Sequence, residues 1–182
     1  MKKYTIFLFF YLISNFAEAS NKKNIIQNLK EINNLNFNFE QNIDGKTQKG
    51  NCTIQYPKKI FCQYDLANKK ILVSDGKMLA IKSTSSYYAY PLNKTPLNII
   101  LDKEFILNKI ATLNGRVISE NLINFTLIVN DNEINLFFDT INFNLIGWQT
   151  LDIYQNLNIT YLSSIKKNQK INKNLFKIPD QN

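Results

Sequence analysis

The sequence predicts a mainly β protein: a large antiparallel sheet with one N-terminal helix and a short helical insertion. Three observations carry that expectation. Apolar residues near the start recur at helical spacing. The period then falls to two through a series of short runs. One Pro-led stretch in the middle breaks the alternation.

The helix is read from "NKKNIIQNLKEINNL", where Ile25, Ile26, Leu29, Ile32 and Leu35 form one apolar face. It is expected to end at Asn33-Asn34. "FNFEQ" then puts Phe37 and Phe39 on one side of a strand. "GNCTIQYPKKIFCQY" reads as two strands joined at Pro57-Lys58-Lys59. Pairing Tyr56 with Ile60 sets Cys52 opposite Tyr64 and Cys62 opposite Ile54. The two sulfurs then share a face but lie diagonally, at the edge of disulfide reach, so a bond and a pair of buried thiols both remain open.

"KKILVSDG" and "KMLAIK" are a strand and its return about an Asp75-Gly76 turn, and "SSYYAYPL" is a further strand closed by Pro91. In "KTPLNIILDKEFI", Thr95 is a candidate N-cap and Pro96 fits the first helical position. Leu97, Ile100 and Leu101 make an apolar stripe on this short helix, and "EFILNKI" either continues it or forms another. After Gly115, strands are expected in "LINFTLIVN", "EINLFFDTINF", "LIGWQTLDIY" and "LNITYLSSI", with Asp131-Asn132 as a hairpin turn.

A sheet this long tends to curl, and its apolar face must be covered. The predicted helices are few and short. They fit a curled sheet with a space under a helical lid. Alternation by itself fits an ordinary filled sandwich or barrel core at least as well.

The N-terminus sets the compartment. Lys2 and Lys3 precede the apolar run "YTIFLFFYLI", which is too short to span a bilayer, and Ala17-Glu18-Ala19 supplies a small-residue cleavage site. Residues 1–19 are thus read as a signal peptide, and 20–182 as one exported, soluble domain. Removing Lys2, Lys3 and Glu18 takes the formal charge from +8 to about +7. The basic residues are scattered, and all but Arg116 are Lys. With one Arg and an export signal, specific nucleic-acid recognition is not expected. The chain contains no His, so neither a Ser-His or Cys-His dyad nor a His-ligated zinc site can be built. Asp and Glu form no motif. No enzyme activity, metal or cofactor is expected.

One set of residues goes further. Gly50 stands seven residues before Pro57, followed by "IFCQYD", "ILVSDGKML", "YYAYPL" and "TPLNIIL", with "LIGWQTLDIYQNLNITYL" near the end. In order and spacing this resembles the LolA family of periplasmic carriers of outer-membrane lipoproteins, over nearly the whole mature chain. The resemblance implies an incomplete, half-open antiparallel β-barrel covered by short helices that act as a lid. It implies a monomeric periplasmic carrier that takes acylated lipoproteins from an inner-membrane Lol-type ABC transporter. The carrier shelters their acyl chains and delivers them to an outer-membrane LolB-like acceptor. Candidate cavity and lid residues on that reading are Phe39, Ile54, Tyr56, Ile60, Cys62, Tyr64, Leu97, Ile100 and Leu101. Asp75 and Gly76 match a structural turn.

One departure stands out. Many members of that family carry an Arg directly before the Pro of the first hairpin, where it helps to close the lid. Here the position is Tyr56, which can donate one hydrogen bond but brings no charge. An acceptor of the LolB type is a lipoprotein with Cys at its mature N-terminus, whereas Ser20 stands there in this chain. The alternative reading is an exported lipid- or glycolipid-binding, or lipoprotein-sensing, module on the same half-barrel.

Overall fold

The structure, a computed structural model, describes residues 20–130, 132–151 and 155–181. The expected signal segment, residues 1–19, lies outside them. Residues 20–31 are helical and are designated α1. Ile25, Leu29 and Ile32, spaced by four and three, are buried at 0–1% exposure, so the apolar face read from the sequence points into the core. Asn168 fastens the end of this helix. Its side chain donates to the Glu31 carbonyl (2.9 Å) and accepts from the Asn33 N–H (2.7 Å).

Six strands follow as an antiparallel meander: β1 (Asn34–Ile43), β2 (Lys46–Gln55), β3 (Lys59–Tyr64), β4 (Ile71–Asp75), β5 (Met78–Lys82) and β6 (Tyr87–Pro91). A 3-10 turn (Leu92–Lys94) leads into helices α2 (Leu97–Ile100) and α3 (Lys103–Thr112). A second meander runs β7 (Arg116–Ser119), β8 (Leu122–Val129), β9 (Asn132–Asp139), β10 (Leu145–Leu151) and β11 (Leu157–Lys167). β1 pairs with β11, which joins the meanders into one open eleven-stranded sheet of order β6-β5-β4-β3-β2-β1-β11-β10-β9-β8-β7. Its two edges, β6 and β7, are neighbours in the chain, linked only by the helical insertion. The fold is therefore mainly antiparallel sheet, not closed, with a few short helices.

Strand alternation decides what faces inward. Leu35, Phe37 and Phe39 of β1 share one buried cluster with Ile54, Ile60, Leu72, Leu79 and Trp148. The helices add Ile100, Leu101, Ile106 and Ile110 to the same cluster. On the outer face, Val73 and Ala80 lie side by side across β4 and β5, and both are also buried. The C-terminal segment runs along this face: Lys82 Nζ donates to the Asp180 carbonyl (2.6 Å), and Phe176 is buried.

Three local expectations are corrected, and the open question of the two cysteines is answered. In the β2–β3 hairpin Gln55 pairs with Lys59 and Ile54 with Ile60, so Ile60 faces Ile54 and not Tyr56, a register shift of two residues from the expected one. The turn takes in Tyr56, Pro57 and Lys58, and Lys58 adopts φ +66°, a conformation the residue type does not announce. Cys52 consequently stands directly opposite Cys62, and the two are disulfide-bonded. Thr95 does not cap α2. Its hydroxyl turns back to the Leu92 carbonyl (2.9 Å), and Pro96 holds the cap position without a side-chain bond. The cap that does form belongs to α3, where the Asp102 carboxylate accepts from the Phe105 N–H (3.1 Å). In the β8–β9 hairpin Val129 pairs with Asn132, so Asn132 lies in the ladder rather than in the turn. Strand β7 is not announced by the sequence, because its four exposed residues show no alternation.

Candidate functional site

The segment that connects the two sheet edges carries α2 and α3. Helix α3 lies along α1: Lys103 Nζ donates to the Ile32 carbonyl (2.8 Å), and at the other end Lys22 Nζ donates to the Leu113 carbonyl (2.9 Å). Beneath α2 the inner face of the sheet is not fully packed. A cavity of about 240 Å³ lies there, bounded by β1, β2, β3, β4, β5, β10 and β11 and covered by Thr95, Pro96, Leu97 and Ile100. A further hollow of about 280 Å³ lies beyond α2, between its Asn98 and Ile99 and residues Val129 and Ile134 of the second meander.

The cavity has two ends. One is apolar, with Ile60, the Cys52–Cys62 bridge, Leu72, Leu79 and Trp148 beneath Leu97 and Ile100. The other is polar, with Gln41, Tyr64, Lys70, Asn158 and Thr160. Gly50 stands between Phe39 and Tyr64 across three strands, and a Cβ there would press on the Gln63 carbonyl and the Phe39 ring. With no side chain between them, the two rings fold together edge to face, with centroids 5.0 Å apart. Burial pushes the Tyr64 phenol up to about 12.

The expected site residues divide into two groups. Phe39, Ile60, Cys62, Tyr64, Leu97 and Ile100 line the cavity together. Ile54, Tyr56 and Leu101 do not. Ile54 and Leu101 are fully buried members of the packed core. Tyr56 sits at the β2–β3 turn, and its buried hydroxyl has no hydrogen-bond partner among the described residues; burial drives its pKa upward.

Two residues later, Lys58 joins the sheet to the helical insertion. Its N–H donates to the Leu101 carbonyl (2.9 Å), and its ammonium pairs with Asp102 at 3.3 Å. The Lys58 carbonyl in turn accepts from the buried Ser74 hydroxyl (3.1 Å), which also accepts from the Gly76 N–H (3.1 Å). The β2–β3 and β4–β5 turns and the joint between α2 and α3 are thus tied at one point.

Sequence reasoning missed Gln41, Lys70, Trp148 and Thr160 in the lining. A signal for Gln41 existed, since it continues the inward row Phe37, Phe39 at spacing two. Among the described residues no group of three or more His, Cys, Asp or Glu is placed to hold a metal ion. No described helix is long and apolar enough to cross a membrane.

Comparison with known proteins gives a family match. Residues 30–179 match the family model "Outer membrane lipoprotein carrier protein LolA". No curated protein matches the chain significantly. Among solved structures, an uncharacterized conserved protein from Thermus thermophilus is similar over 90% of this chain and 94% of its own, with TM-score 0.52 and 7% identity, a likeness of fold. A LolA superfamily protein from Nitrosomonas europaea aligns over 86% of this chain and 97% of its own, with TM-score 0.43 and 8% identity. The Mycobacterium tuberculosis lipoprotein LppX aligns over 84% and 96%, with TM-score 0.45 and 10% identity.

Proposed function

The chain belongs to the LolA family, and on that premise we propose that it is a periplasmic carrier of acylated lipoproteins, made as a single domain behind a cleaved signal peptide. It receives cargo from an inner-membrane Lol-type ABC transporter and passes it to an outer-membrane LolB-like acceptor. The protein acts as a monomer, without cofactor and without catalysing a reaction.

The observation that supports this reading most directly is the apolar cavity under α2. A filled core has no such space, because interiors pack to crystal density. Each CH₂ moved from water into the cavity contributes about 0.8 kcal/mol, so a whole acyl chain would be held too tightly for easy delivery. The lid reduces that surplus. In the empty carrier Leu97 and Ile100 already cover the wall, so net binding is the difference between two burials. Phe39, Ile60, Cys62 and Tyr64 form the wall against which the chain lies, while Ile54, Tyr56 and Leu101 support that wall and the lid.

The test is mass spectrometry of material bound to the mature protein purified from the periplasm. Acylated protein is the expected finding. Free glycolipid in its place would overturn the lipoprotein-carrier reading in favour of an exported lipid-binding module.

A further inference from the structure

The polar end of the cavity is unusual for an inward-facing sheet surface. Gln41, Asn158 and Thr160 occupy positions where alternation would place aliphatic side chains, and Thr160 is buried. They form a connected group. Gln41 Nε2 donates to Asn158 Oδ1 (3.1 Å) and Thr160 Oγ1 (3.2 Å), and Gln41 Oε1 accepts from the Tyr64 hydroxyl (3.4 Å). Burying polar groups is costly when apolar ones would fill the same place, so their presence calls for a use.

Lys70 completes the group. Among the described residues of the cavity lining it is the one Lys or Arg, and none of them is Asp or Glu. The Tyr64 N–H donates to the Lys70 carbonyl (3.0 Å), which holds the two residues together at the end of β3. The ammonium lies 4.0 Å from the Tyr64 ring centroid and donates to Gln48 Oε1 (2.8 Å). It has three N–H donors. One goes to Gln48 and one side faces the ring, and no carboxylate among the described residues pairs with it. Burial holds its pKa below the ordinary lysine value. A half-buried cation without a counter-charge is stabilised by any anion that reaches it.

We propose that this polar end is an anion subsite, in which Lys70, beside Tyr64 and Gln41, takes a carboxylate or phosphate head group of a ligand whose acyl tail lies in the apolar end. The proposal rests on the acyl-chain-binding part of the reading above and goes beyond its lipoprotein cargo, by giving the head chemistry of a further lipid ligand. It also sets the polarity of binding: the tail lies under Leu97 and Ile100, and the charge lies at the opposite end, by the hairpin tips.

The experiment measures binding of hexadecanoate, hexadecyl phosphate and hexadecanol, each below its aggregation concentration, to the mature protein and to Lys70→Met and Lys70→Arg. The anions should bind the native protein about tenfold to a hundredfold more tightly than the alcohol, the range of a charge-assisted hydrogen bond. Lys70→Met should erase that preference, while Lys70→Arg should retain it. A stronger carboxylate arm points to a fatty-acid head and a stronger phosphate arm to a phospholipid head; both support the subsite. Equal binding of all three by the native protein overturns the subsite and leaves the lipid-binding reading standing. Absence of binding by all three overturns both, and the native comparison decides even if Lys70→Met does not fold.

Discussion

Phe39 and Tyr64 meet at an interplanar angle of 75° over a residue with no side chain, Gly50, and both rings line the cavity. The obstacle to any larger residue at Gly50 is partly backbone, the Gln63 carbonyl, which cannot rotate aside. Gly50→Ala is expected to destabilise the protein by about 3 kcal/mol, the upper part of the usual range for overpacking. Urea unfolding measures it. A change below about 0.5 kcal/mol would show that the three strands separate there without difficulty.

Tyr56→Phe should go the other way. The Tyr56 hydroxyl is buried and has no partner among the described residues, so removing it takes away a desolvated group and none of their hydrogen bonds. The variant should be as stable as the native protein or more so, by up to about 1 kcal/mol. Thermal melting above pH 7 and below it should give the same sign, because burial keeps the phenol neutral throughout. A loss of stability would mean that the hydroxyl has a partner, such as an ordered water.

The Cys52–Cys62 bond closes a short loop, with a sequence separation of 10. Replacing both residues by Ala should cost roughly 2–3 kcal/mol on the loop-entropy account. Reduction of the native protein should produce a similar loss. If the double variant melts like the oxidised protein, the β2–β3 ladder holds the hairpin without help.

Asp75 supplies an acid-side signature. Burial raises its pKa, but N–H donors from Met78 and Lys77, its own backbone and the Lys77 charge outweigh that and leave it below the ordinary carboxylate value. A depressed folded-state pKa contributes stability above the unfolded pKa, and that contribution is lost as pH falls through the folded value. Asp75→Asn should therefore be less stable than the native protein at neutral pH, with the gap closing in acid below the unfolded aspartate pKa. A gap that stays constant from neutral pH to about pH 3 would remove this carboxylate from the account.

Leu97 and Ile54 separate the lid from the core. Leu97 is half-buried and lines the cavity, whereas Ile54 is wholly inaccessible. Leu97→Glu should abolish cargo uptake at a stability cost below about 1 kcal/mol, while Ile54→Glu should unfold the domain. Global unfolding of Leu97→Glu, read by circular dichroism, would argue for a filled core without a removable cover.

Much of this was legible in short-range pattern. The face of α1, the Phe37 and Phe39 row and the Gly76 turn are local features, set by the spacing of a few residues, and they stand where the sequence put them. The register of the β2–β3 hairpin was not legible, because it depends on Lys58 adopting φ +66°, which no spacing rule requires. The tie from Lys58 to Asp102 joins residues far apart in the chain and becomes visible only once the sheet has curled. Lys70 was hidden for a similar reason. In "ANKKILV" it reads as a solvated loop charge, and its half-buried place beside Tyr64 arises from the preceding strand folding back against it.

The helical insertion starts at one free edge of the sheet and finishes at the other, as a cord is strung between the tips of a bow. A flap fixed at one end can swing clear, but a cord fixed at both can only slacken or tighten. Spreading β6 from β7 draws the cord taut over the hollow, and bringing them together lets it rise. The width of the mouth and the pressure on whatever lies inside are therefore one variable. On the carrier reading, a pull on either edge strand, far from the hollow itself, would change how firmly a ligand is gripped.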